Sequence, residues 1–185
     1  MALRLAPTLG ECVEQIDLIA PGGPLTLGNF LPDMAGGALF GLAQDHPRLF
    51  GLLTRAQALG AKFAPAMLVK ALLADTRGGD AALARDPAFR ALLASILRET
   101  FASGGKGYRA EITAYVGDWA DQLKAITQPV TIWQGDADNW VPPKMAKALA
   151  ARIPVPVKLE SLSGLSHYSA LQWYLQRFSP GGNLP

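Results

Sequence analysis

The run Pro129-Val130-Thr131-Ile132-Trp133 constrains this chain more than any other stretch. Its β-branched and apolar residues are nearly continuous instead of alternating with charged ones, which is the pattern of a strand covered on both faces. Such strands belong to mostly parallel sheets with helices on either side, so the chain is expected to contribute to an α/β domain. The loop after that strand, Gln134 to Pro142, then falls at the carboxyl edge, where open parallel sheets gather their functional groups.

Signals on either side of the run fit this class. Residues 3 to 9 read as the end of a helix, and Val13 to Ile19 as a short strand closed by the turn Pro21-Gly22-Gly23-Pro24. From about residue 34 to 115 strand signals vanish. Pro65 opens a helical stretch that Gly78-Gly79 breaks. Asp86-Pro87 forms an N-cap and first-position pair, after which Phe89, Leu92, Leu93, Ile96 and Leu97 recur at helical spacing. Beyond the central strand, Pro142-Pro143 open a helix that Pro154 ends. Val155 to Glu160 alternates as an edge strand, and Ser169 to Phe178 reads as a last helix. The expected division is 1–30 for a core helix end and strand, 31–115 for a helical insertion, 116–179 for core strands and helices, and 180–185 for a flexible tail.

Composition excludes several classes. Half of the 185 residues are apolar, enough for one substantial core. Seventeen Lys and Arg against fifteen Asp and Glu, without a long basic run, leave no footprint for nucleic acid. The apolar stretches are too short to span a membrane and no signal pattern opens the chain, so a cytoplasmic location is the expectation. Cys12 is the single cysteine, which rules out an internal disulfide. No metal cluster or dinucleotide motif is visible, so no cofactor is expected. Ser103-Gly104-Gly105-Lys106-Gly107 resembles a phosphate loop in outline, but it lacks a preceding strand and the full spacing and is read as a loop.

Chemistry concentrates in two late segments. Asp138 follows the central strand and His167 follows the last one, so the two are expected to meet at the carboxyl edge of one sheet. A carboxylate that holds an imidazole in one tautomer makes it a useful base. Each residue also has a plainer reading: an Asp before a helix commonly braces its turn, and a loop histidine beside serines is commonly a solvated surface residue. His46 has no such context, and the four scattered tryptophans read as packing residues.

The stretch Pro129 to Pro142 resembles the PVxxxxGxxDxxVP pattern of the α/β-hydrolase family, with Asp138 at the acid position and Asp136 the weaker candidate. Leu162 to Ser169 resembles that family's glycine-then-histidine turn, with His167 as the histidine and Ser166 where many members have Gly. Residues 1 to 6 resemble the helix after the nucleophile elbow, and Glu11 to Pro21 the strand after that helix. The resemblance implies the C-terminal part of an α/β-hydrolase sheet, about three parallel strands with flanking helices, carrying a helical cap at 31–115.

It further implies ester or acyl hydrolysis by a Ser-Asp-His triad on a small hydrophobic ester-like substrate, with Asp138 and His167 as the catalytic pair. The family's GxSxG turn does not occur in this sequence, and none of its serines has the strand-turn-helix setting of an elbow. The expectation is therefore a truncated member, inactive as an esterase by itself. Roughly a hundred further residues would complete such a domain. Its first strand would present an unpaired edge through which copies could associate. The competing reading is a non-catalytic remnant serving as a binding or dimerising module.

Overall fold

The computed structural model describes residues 2–178, and the tail expected at 180–185 lies outside them. The described elements run α1 (Ala2–Leu9), β1 (Ile16–Ile19), α2 (Gly37–Asp45), α3 (Pro47–Phe63), α4 (Pro65–Leu72), α5 (Asp80–Leu83), α6 (Pro87–Phe101), α7 (Lys106–Val116), β2 (Val130–Gly135), α8 (Pro143–Arg152), β3 (Val157–Leu162) and α9 (His167–Phe178), with short 3-10 turns between some of them.

The strands form one three-stranded parallel sheet in the order β1-β2-β3. Val130 lies opposite Ile16 on one side and Val157 on the other. Helices cover both faces of the centre, as the run at 129–133 requires. On one face Ile16, Leu18, Val130 and Ile132 pack against Leu3 and Ala6 of α1 and Ala146 and Leu149 of α8. On the other, the Trp133 ring meets Trp173, Tyr174 and Phe178 of α9 at centroid distances of 5.6, 5.9 and 5.4 Å. The Asp17 carboxylate joins this layer, accepting from Trp133 Nε1 at 3.3 Å and from the Tyr174 hydroxyl at 3.1 Å. Removing one Leu- or Ile-sized side chain from water contributes about 2 to 3 kcal/mol, so the face filled by Ile132 and Leu149 anchors the fold.

Several boundaries differ from the sequence reading. The first strand starts at Ile16 instead of Val13, because residues 10–12 form a 3-10 turn closed by Val13 N–H to Gly10 carbonyl. The last strand is Val157–Leu162 instead of 155–160. Pro156 has no N–H to give a ladder, so pairing begins only after it. The final helix begins at His167, two residues earlier than expected, which moves the histidine from a loop to the first position of a helix.

Between β1 and β2 the described residues contain helices and turns and no strand. Asp86 caps α6 as its sequence predicts, accepting from Ala88 N–H at 2.9 Å. The apolar periodicity of α6 is only partly used: Leu93 is buried with Val69 and Leu73 of the α4 region, whereas Leu92 and Ile96 are exposed. No described helix is long and apolar enough to cross a membrane.

Candidate functional site

Asp138 and His167 stand 29 positions apart in sequence, and the sheet brings them together, with Asp138 Oδ2 at 3.1 Å from His167 Nδ1. The cause is the topology. β2 and β3 are adjacent and parallel, so the loops leaving their carboxyl ends are neighbours. Gly135 lets those loops touch. A Cβ at that position would lie 2.8 Å from the Ser166 carbonyl oxygen and closer still to that of Leu165, so no larger residue fits where the two turns cross.

Backbone bonds then lock the crossing. Asp136 N–H donates to Leu162 O at 3.2 Å and Ala137 N–H to Leu165 O at 3.0 Å. The Asp136 carboxylate accepts from Gly164 N–H at 2.8 Å, so the weaker acid candidate is a brace between the two turns and not a partner of the imidazole.

Asp138 has a side chain with no exposed surface. Burying a carboxylate costs several kcal/mol unless donors replace its water, and here four do so. Its Oδ1 accepts from Trp140 N–H at 2.8 Å and Val141 N–H at 2.9 Å. Its Oδ2 faces Gln134 Nε2 at 3.3 Å as well as the imidazole. The turn-bracing reading of Asp138 is thus also realised, by Oδ1, while Oδ2 is turned to His167.

The His167 side chain is 31% exposed, so one ring edge is held and the other is open. An Asp138 oxygen facing Nδ1 favours the tautomer that donates from Nδ1 and carries its lone pair on Nε2. Among the described residues Nε2 has no hydrogen-bond partner. Trp140 and Tyr168 flank the ring at centroid distances of 6.5 and 5.4 Å. Burial, then the carboxylates of Asp80 and Asp138, push the Tyr168 phenol up to about 12. An imidazole so arranged can take a proton at Nε2 while the carboxylate offsets the charge formed.

Three supporting residues were invisible to sequence reasoning. Asp80, buried at the start of α5, accepts from Tyr168 N–H at 3.1 Å, from Ser169 N–H at 2.7 Å and from the Ser169 hydroxyl at 2.7 Å. It thereby satisfies the first free amides of α9, the helix that His167 opens. Asn139 reaches the helical segment, its Nδ2 donating to Asp75 O at 2.6 Å. Gln134 spans the acid turn, donating to Val141 O at 3.0 Å. The Asp80 partners lie up to 89 positions away, and no local motif marks such a contact. The one available signal was an Asp directly after the helix break Gly78-Gly79.

Ser166 is fully buried, and its backbone packs at the Gly135 crossing. Ser169 is committed to Asp80. Among the described residues no group of three or more His, Cys, Asp or Glu is placed to hold a metal ion. A cavity of about 460 Å³ opens beside β1, with Leu3, Leu18, Tyr115 and Trp119 in its lining. Burial pushes the Tyr115 phenol up to about 12. Comparison of the chain with protein-family models, with curated proteins and with solved structures finds no match.

Proposed function

We propose that this chain supplies the acid and base of an α/β-hydrolase-type active site acting on esters or related acyl compounds. The carrying observation is the bond between buried Asp138 and half-open His167 at the carboxyl edge of a parallel sheet. His167 Nε2 would take the proton of a serine hydroxyl and pass it to the leaving alcohol or amine, while Asp138 holds the tautomer. The serine and the oxyanion donors would come from residues outside this sequence, since no GxSxG is present in it. Residues 31–115 would serve as a cap, and their apolar content suits a small hydrophobic acyl or alkyl group.

A triad without its nucleophile loses on the order of a millionfold in turnover, so the purified chain should show no burst of product from an activated ester. The deciding experiment extends the reading frame upstream of Met1. A strand, GxSxG and helix found there and expressed with this chain should yield ester hydrolysis that His167→Ala abolishes. An upstream frame without such a serine, or hydrolysis indifferent to His167, would refute the proposal.

One observation favours a second reading, self-association through β1. Ile16 and Ala20 direct their N–H groups to β2, at 2.9 and 2.8 Å from the carbonyls of Pro129 and Trp133. Parallel strands alternate, so Asp17 and Ile19 turn their backbone groups to the outer edge, where the described residues form no further strand. Sedimentation of the purified chain tests this. A concentration-independent monomer would remove the reading.

A further inference from the structure

We propose that α3, α7 and the loop joining α6 to α7 form a binding site for a phosphate group, with Arg48, Arg55, Lys106 and Arg109 as its cations. Two adjoining cavities of about 300 and 240 Å³ lie there. Arg48, Arg55 and Arg109 line the first, and Arg55, Lys106 and Arg109 line the second, so the two share two guanidinium groups.

No carboxylate among the described residues lies in ion-pair range of any of the four, although other cations of the chain do find such partners. α3 carries Arg48, Arg55 and Lys62 and no Asp or Glu. In a chain whose formal net charge is only +2, three unneutralised cations beside each of two cavities that share Arg55 and Arg109 are a local excess that an anion would relieve.

Local geometry brings them together. Gly105 has φ +72°, and a Cβ on it would lie 2.6 Å from Thr54 Cγ2, so glycine at this position lets the loop 103–105 lie directly on α3. That contact delivers Lys106 to the arginines. On the other side Arg109 reaches over Gly51, where a Cβ would stand 3.2 Å from a terminal nitrogen of its guanidinium. The amides that open α7, a helix of 11 residues whose N-cap Gly105 makes no side-chain capping bond, border the second cavity and add to its positive field. Planar guanidinium groups grip phosphate oxygens in pairs, which is why the arginines are expected to dominate binding. None of the four residues touches Asp138 or His167, so this site stands apart from the acid–histidine pair.

The phosphate could belong to a soluble molecule or to a lipid headgroup, since Leu52 and Leu59 are exposed on the same helix. Amide NMR of the full chain, titrated with orthophosphate and with pyrophosphate, tests the site. Saturable shifts at residues 103–107 are expected, with pyrophosphate the tighter ligand. The double substitution Arg55→Gln, Arg109→Gln should weaken binding about tenfold or more, while the resonances of the sheet stay in place. Arg109→Lys should weaken it less, because the charge remains and only the fork is lost.

Co-sedimentation with phosphatidylcholine vesicles, with and without phosphatidic acid, identifies the source. Capture by phosphatidic acid that the double substitution abolishes marks a lipid headgroup. Binding of pyrophosphate without vesicle capture marks a soluble ligand. Absence of saturable shifts with both anions, equal pyrophosphate affinity in the double variant, or vesicle capture that survives it would overturn the proposal.

Discussion

The sheet and the helical segment between β1 and β2 bury their apolar side chains to different degrees. Around the sheet, Leu123, Ile132, Ala146 and Leu149 are closed off from water and belong to one cluster. The helical segment buries Phe50 and Val69 as well, but Leu59 is 61% and Phe63 74% exposed, and α7 buries no residue. The sheet region holds the larger buried cluster, and the helical segment packs around a smaller one. The candidate chemistry sits where the two meet. Asp138 and His167 belong to the sheet's loops, but the helix bearing His167 is capped by Asp80 from the helical segment.

The contrast breaks if the two regions respond alike to truncation. Leu149→Ala should cost about 3 to 5 kcal/mol in urea unfolding, because the cavity left beside Ile132 cannot collapse. Asp80→Ala should cost about 2 to 4 kcal/mol, since it strips three bonds from the start of α9 and leaves buried donors unpaired. The same variant sharpens the comparison through the His167 side-chain resonances: if the helical segment aligns the histidine, they should shift, while the core signals of Ile132 should not.

Alkaline pH probes the junction more gently. The Tyr115 and Tyr168 phenols are raised to about 12 in the folded chain. The unfolded chain therefore releases these protons first, near the ordinary value of about 10. Their contribution is fully present below that value and is lost as pH rises toward the folded pKa. Unfolding measured at about pH 9 and about pH 11 should show the fall, and Tyr168→Phe should reduce it. Asp86→Ala, which removes the cap of α6, should cost about 1 kcal/mol. Smallest of all, Leu59→Ser on the exposed face of α3 should change stability by no more than about 0.5 kcal/mol. A larger loss there would show that the helical segment is covered in solution.

Local signals carried the sheet well. The run at 129–133 announced a doubly covered strand, and β2 does lie between two neighbours with helices above and below. Asp86-Pro87 announced a helix start because a cap is made within three residues of chain. Strand ends were less legible, since Val13 and Val155 have strand-like side chains but no ladder partner. The apolar periodicity of α6 was misleading in another way. It specifies a helix, yet which of Leu92, Leu93 and Ile96 is buried depends on where α3, α4 and α7 lie.

Residue order alone pointed to parallel α/β structure, because strand pattern is a property of short windows, and the resemblance of two late segments to a family pattern singled out Asp138 and His167. Only the tertiary structure decided that Oδ2 of one meets Nδ1 of the other, that Asp80 caps the helix His167 opens, and that Arg55 of α3 and Arg109 of α7 line the same two cavities. Those contacts join groups as many as 89 positions apart, and only the packing of one element on another determines whether such distant groups meet.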